Sequence, residues 1–158
     1  LDDPDFLLVD DPNYTGPLLQ PELVMTAEAS LGVRLPGAYL RLLATHNGGR
    51  FTRPCLPTQF ATSWAPDHFQ VDALFGIGGT NGIDSDVGSR YLIAEWGYPD
   101  VGVVVGECPS AGHDTVMLDY SSSGPEAEPT VVYVDEDRVP KQVANSFEAF
   151  LARLTLCE

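Results

Sequence analysis

The sequence predicts a single α+β domain: a central, mostly antiparallel or mixed sheet, flanked by an N-terminal helix pair and a C-terminal helix. Three observations carry this expectation. Apolar residues at helical spacing are confined to residues 21–46, a segment near residue 90 and the last dozen residues, whereas β-branched runs cluster between residues 100 and 135. Strands gathered in the middle with helices at both ends imply α+β rather than alternating βαβ units. At 158 residues the chain is the size of one domain with a sizeable core, and no repeat marks a second one.

Residues 1–19 read as an acidic, irregular lead-in, with Asp2, Asp3, Asp5, Asp10 and Asp11 among prolines and Gly16; Phe6–Val9 is able to pack as a short extended piece. The domain proper is expected over residues 20–158. Pro21 suits a first helical position, where the missing N–H costs nothing, and Leu23, Val24, Ala27 and Leu31 share one stripe. Gly32 supplies a left-handed cap, and Pro36 opens a second helix whose Tyr39, Leu42, Leu43 and His46 form a buried face. Asn47-Gly48-Gly49 ends it, because Asn and Gly tolerate the positive φ of a helix exit.

Beyond Arg50, Pro54 and Pro57 break the chain into turns and short strands, and "HFQVDALF" alternates as one strand. Asp84-Ser85-Asp86 is placed to cap a helix through "VGSRYLIAEWG", which Pro99 ends. "VGVVVGE" reads as a strand buried on both faces. "DTVMLDY" and "TVVYVD" follow as strands, separated by the polar loop "SSSGPEAEP". Asn145 with Glu148 forms a capping-box pattern ahead of the stripe Phe147, Phe150, Leu151 and Leu154.

Charge is the strongest compositional signal, with 23 Asp and Glu against 8 Lys and Arg for a net −15. Such a field repels phosphate, which weighs against direct nucleic-acid or anionic-membrane contact and favours a basic partner. No apolar run approaches the roughly 20 residues of a membrane span, and the opening residues lack the basic region of a signal peptide. Cys55, Cys108 and Cys157 make no C-x-x-C pair and leave an odd thiol, so reduced structural thiols in a cytoplasmic protein are expected.

Catalytic patterns are weak. Cys108, His113 and Asp114 lie close in sequence, but nearness supplies no hydrogen-bond geometry, and they read as a strand-end thiol and a turn histidine. His46, His68 and His113 lack zinc spacing, Asp84–Asp86 lacks the glutamate of a calcium loop, and "FGIGGTNG" lacks a phosphate-loop lysine. With 23 acids, carboxylate pairs carry no signal for glycoside hydrolysis. No catalytic residue, metal or cofactor is expected.

An ordered set of punctuation residues points elsewhere. Glu28 precedes Leu31-Gly32, then come Leu35-Pro36, Tyr39 and Leu43, and Asn47-Gly48-Gly49. Next are "FGIGG" (75–79), "YPDVGVVVGE" (98–107), "HDTVMLDY", "VVYVD" and "VANSFEAFLARL". In this order, from Pro21 to Leu156, they resemble the SUKH superfamily of fungal Smi/Knr-type regulators and bacterial immunity proteins against polymorphic toxins. The family often shows a Gly-Gly-Asp turn where this chain has Ala111-Gly112-His113-Asp114.

The resemblance implies binding rather than catalysis: an immunity-type protein that neutralises a cognate toxin, in several relatives a nuclease. A regulatory scaffold with no toxin partner is the alternative, and an unrecognised acidic hydrolase a third. A nuclease partner would be basic, because it grips phosphate. The candidate contact acids are Asp84, Asp86, Glu126, Glu128, Asp135, Glu136 and Asp137, with Trp64 and Tyr98 as aromatic anchors. Trp96, on a helix stripe, is assigned to the core.

Overall fold

Alternating apolar residues and well-placed turns set out thirteen short elements along residues 7–157, which the computed structural model describes. Asp2, Asp3, Asp5 and Phe6 lie outside the described residues. Strand β1 (Leu8–Val9) precedes helices α1 (Pro21–Leu31) and α2 (Gly37–Thr45). Four short strands follow: β2 (Gly49–Phe51), β3 (Cys55–Pro57), β4 (His68–Gln70) and β5 (Ala73–Leu74). Helix α3 (Ser89–Trp96) leads into β6 (Gly102–Glu107), β7 (Thr115–Asp119), β8 (Thr130–Val134) and β9 (Pro140–Ala144), and α4 (Phe147–Arg153) closes the order.

Seven strands form one sheet in the order β1-β2-β5-β6-β7-β8-β9, while β3 and β4 pair separately. Every neighbouring pair is antiparallel. One face of the large sheet carries Val103, Val105, Val116, Leu118, Val131 and Tyr133 into the main core with Leu31, Tyr39, Leu43, Phe147 and Phe150. The opposite face gathers Val104, Met117, Val132 and Val134 with Tyr98, against Leu92 and Ile93 of α3. Helices on both sides explain why β6 lacks the polar alternation of a half-exposed strand.

Helix α1 follows its sequence signals. Pro21 is its first residue, and Gly32, at φ 72°, donates its N–H to the Glu28 carbonyl at 2.8 Å. Helix α2 opens one residue later than expected, with Pro36 as the extended cap. His46 lies just past that helix, partly exposed, with Nδ1 2.9 Å from Asp10.

Asn47 plays a different part from the one its type suggests. The positive φ of the exit falls on Gly48, at 93°, while the Asn47 amide is buried. Its Nδ2 donates to the carbonyls of Pro17 (2.6 Å) and Ile77 (2.8 Å), and its Oδ1 accepts from the Ile77 N–H at 2.8 Å.

Several boundaries differ from the sequence reading. "HFQVDALF" is two strands: β4 pairs with β3, whereas β5 joins the large sheet between β2 and β6. Phe69, Val71 and Ala73 are all fully buried, so the alternation reported a face correctly and said nothing about the pairing partner. Asp84-Ser85-Asp86 does not cap α3, which starts after Gly88 without a side-chain cap. Asp84 instead accepts from the Gly78 N–H at 2.8 Å.

Ser146, not Asn145, caps α4, accepting from the Ala149 N–H at 3.1 Å. Asn145 accepts from Gln142 Nε2 at 2.7 Å. Phe147, Phe150 and Leu154 are buried as expected. Strand β9 has no counterpart in the sequence reading; its Pro140 and Lys141 suit an edge strand, and their polarity hid it.

The cysteine expectation is corrected most plainly. Cys55 and Cys157 form a disulfide, with Cα atoms 5.3 Å apart and a separation of 102 positions in sequence. Main-chain hydrogen bonds hold the same place: the Cys55 N–H donates to Thr155 at 3.0 Å and the Thr155 N–H donates back at 2.8 Å. Cys108 remains a free, buried thiol. Non-reducing digestion should therefore yield a peptide joining Cys55 to Cys157, and Cys157→Ser should lower stability in urea by about 2–4 kcal/mol. Rapid alkylation of both thiols in the folded, unreduced protein would contradict the pairing.

Candidate functional site

Register places two turns side by side. Thr115 pairs with Val134, so the β6–β7 turn (108–114) and the β8–β9 turn (135–139) share one end of the sheet. The loop between β3 and β4 closes over the same end, where the Ser63 N–H donates to Asp135 Oδ2 at 2.8 Å.

Asp114 sits beneath these turns, 2 % exposed. Its Oδ2 accepts from Trp64 Nε1 at 2.9 Å and Tyr133 Oη at 2.5 Å, and its Oδ1 accepts from Ser110 Oγ. A buried carboxyl group is costly unless its oxygens are satisfied, and here three neutral donors satisfy it. Burial, reinforced by the bond to Asp114, pushes the Tyr133 phenol well above the usual tyrosine range. The departure from Gly-Gly-Asp leaves the hairpin in place, with Ala111 (φ 57°) and Gly112 (φ 95°) making the turn.

Both aromatic assignments around this turn are revised. Trp96 is 41 % exposed, not part of the core, and its ring lies across Gly112, where a Cβ would stand 3.0 Å from the indole. Tyr98 is buried and donates its hydroxyl to the Gly112 carbonyl at 2.6 Å, so it is no protruding anchor. Burial pushes its phenol up to about 12, with the nearby Arg138 guanidinium acting in the opposite sense. That guanidinium lies 4.6 Å from the Tyr98 ring centroid. It also donates to the carbonyls of Trp96 (3.1 Å), His113 (2.8 Å) and Asp135 (3.1 Å).

The remaining candidates fall in three places. Asp135, Glu136 and Asp137 share the sheet end with exposed Trp64. Asp135 Oδ1 accepts the Glu136 N–H at 2.8 Å, and Glu136 stands 3.1 Å from His113. Asp137 accepts from Val139 N–H and Lys141 Nζ, both at 3.0 Å, and these bonds, Val139 foremost, hold its carboxyl below the usual range. Glu126 and Glu128 lie in the β7–β8 loop at the opposite end of β8, where Glu128 accepts from the Phe147 N–H at 3.3 Å. Asp84 and exposed Asp86 occupy the loop before α3.

Cys108, His113 and Asp114 do not form a relay. Burial first, then Asp114, pushes the Cys108 thiol well above its ordinary value, the reverse of an activated nucleophile. His113 faces Glu136 instead. Sequence reasoning missed the Trp64–Asp114–Tyr133 cluster because 50 and 19 residues separate its donors from the acid, and only the fold joins them.

The antiparallel sheet with paired N-terminal helices and a closing helix is a SUKH-like architecture. The SUKH_6 family, described as SMI1-KNR4 cell-wall, matches residues 21–151, and the chain belongs to it. Members of that family are generally immunity or regulatory proteins rather than enzymes. No curated protein matches the chain. Among the described residues no helix is long and apolar enough to cross a membrane.

Tyr133→Phe should cost about 1.5–3 kcal/mol in urea unfolding, because it withdraws one donor from a buried carboxyl group. An unchanged unfolding midpoint would show that Asp114 does not depend on that phenol.

Proposed function

We propose that this chain is an immunity-type protein that binds and neutralises a cognate basic toxin domain, a nuclease by preference, through its acidic surface. Family membership supports the class. The charge ledger supports the mode. Of eight Lys and Arg, only Arg50 and Lys141 form ion pairs with carboxylates among the described residues. Arg90, Arg138 and Arg153 are turned onto main-chain carbonyls. Most of the 23 acids are thus left to project an uncompensated field. This is the observation that carries the proposal, since such a field steers and accelerates encounter with a basic protein.

The contact surface centres on the sheet end, which Asp135, Glu136 and Asp137 share with exposed Trp64 and Trp96. Aromatic side chains in such a setting concentrate binding energy. Asp86 and Glu126 add to the long-range field. A regulatory scaffold is the second reading, favoured by the cell-wall description of the matched family.

Stopped-flow association with the toxin domain encoded beside this chain's gene tests the proposal. The on-rate should fall at least about tenfold between low and high salt. Asp86→Lys combined with Glu126→Lys should slow it several-fold without altering thermal stability, because neither acid holds a hydrogen bond among the described residues. Asp135 and Asp137 suit this purpose less well, since both support their own turn. An on-rate indifferent to salt and charge reversal would overturn the acidic route. Absence of any binding to the neighbouring toxin would favour the scaffold reading.

A further inference from the structure

A pocket of about 290 Å³ opens between α3 and strands β6 and β7, walled by Phe75, Leu92, Trp96 and Tyr98 with the Glu107 carboxylate. We propose that it receives one cationic side chain, a guanidinium by preference, from the basic partner. The partner as owner of that cation rests on the reading above; the chemistry of the pocket does not.

Size gives the first argument. Sites for drug-sized ligands run from about 300 to 1,000 Å³, so this cavity lies just below that range and suits a single long side chain. Lining gives the second. Aromatic faces attract cations, and three aromatic residues line the space. A fourth ring, Tyr14, lies 5.9 Å from Phe75 and donates its hydroxyl to Glu107 Oε2 at 2.5 Å. That bond orients the Glu107 carboxylate while its Oε1 has no hydrogen-bond partner and the residue no ion pair among the described residues. The Asp114 carboxyl group is turned to the other face of the sheet, onto Trp64 and Tyr133, so Glu107 is the acid that faces the pocket.

The chain's own cations show the same chemistry at the rim. Arg50 lies 5.3 Å from the Tyr14 centroid and Arg138 lies 4.6 Å from the Tyr98 centroid, but neither lines the pocket. Each is committed elsewhere: Arg50 to Asp11 at 2.6 Å, Arg138 to its three carbonyls. An incoming cation must offset their repulsion, so it needs the Glu107 carboxylate. A planar guanidinium meets a carboxylate with two parallel bonds, stacks on aromatic rings and is weakly hydrated, where an ammonium does none of these so well. The Glu107 carboxylate makes the pocket hostile to anions.

The test is an NMR titration of the whole protein with Nα-acetyl-arginine amide, its lysine analogue and its uncharged citrulline analogue. Arginine amide should give saturable shifts confined to Trp96, Gly112 and Phe75, at millimolar affinity, about threefold or more tighter than lysine amide, with no response to citrulline amide. Glu107→Gln, which still accepts the Tyr14 hydroxyl, should weaken arginine binding at least fivefold. Trp96→Leu, which keeps bulk over Gly112 but removes the ring, should weaken it similarly; Asp86→Asn should leave it unchanged. Equal response to citrulline amide, indifference to Glu107→Gln, or unsaturable shifts spread over Asp86 and Glu126 would overturn the pocket assignment. Equal binding of lysine and arginine amides would overturn the guanidinium preference. No partner protein is used, so a failure here leaves charge-steered association standing, and a failure there leaves the pocket standing.

Discussion

One carboxamide joins three stretches of chain that are distant in sequence. Asn47 ties the lead-in at Pro17 and the loop at Ile77 to the exit of α2, using both amide donors and the amide oxygen. Its main-chain carbonyl completes the junction by accepting the Gly16 N–H at 2.7 Å. The backbones approach so closely that a Cβ on Gly48 would stand 2.7 Å from the Gly76 nitrogen, and one on Gly76 would collide with the Asn47 carbonyl. Buried polar groups that lose such partners each cost about 1–3 kcal/mol, so this junction is a constraint rather than a decoration. From it follow the placement of β1 beside β2, the entry of β5 into the sheet and the course of the loop that leads to α3.

The charge imbalance has a structural half and a surface half. Arginines pin the fold by donating to main-chain carbonyls at helix ends and turns: Arg90 to Ser30 and Leu31, Arg138 to Trp96, His113 and Asp135, Arg153 to Pro57. Guanidinium groups suit this because their planar fork meets several acceptors at once. Carboxylates are left in excess, and a few are drawn inward to specific posts, Asp84 on Gly78 and Asp114 on its three donors. The same composition that makes the surface acidic therefore also fixes the turns that shape its aromatic end.

Much of this was legible in the sequence where local rules decide the outcome. The helix end at Gly32, the buried β6 and the Phe147–Phe150 stripe all follow from backbone preference and apolar spacing, whereas α3 stops at a left-handed Gly97, two residues before the Pro99 expected to end it. What depended on tertiary partners was not legible. Alternation from Phe69 to Phe75 identified an inward face, yet the strand changes sheets midway. Asn47 read as a helix exit because its sequence neighbours are glycines, while its true role depends on Pro17 and Ile77. Cys55 and Cys157 gave no spacing signal because only the fold brings the C-terminal tail to β3. Among the proposed contact residues, Trp64 is exposed and Tyr98 buried, a difference set by tertiary packing and invisible in residue type.

The most direct test of the Asn47 junction is Asn47→Asp, which keeps the side chain's shape but removes both donors and sets a carboxyl group against two buried carbonyls. Urea unfolding at neutral pH should show a loss of about 3–5 kcal/mol, the scale of an uncompensated buried charge. A loss below about 0.5 kcal/mol, typical of an ordinary surface change, would contradict the claim that this amide holds the three segments together.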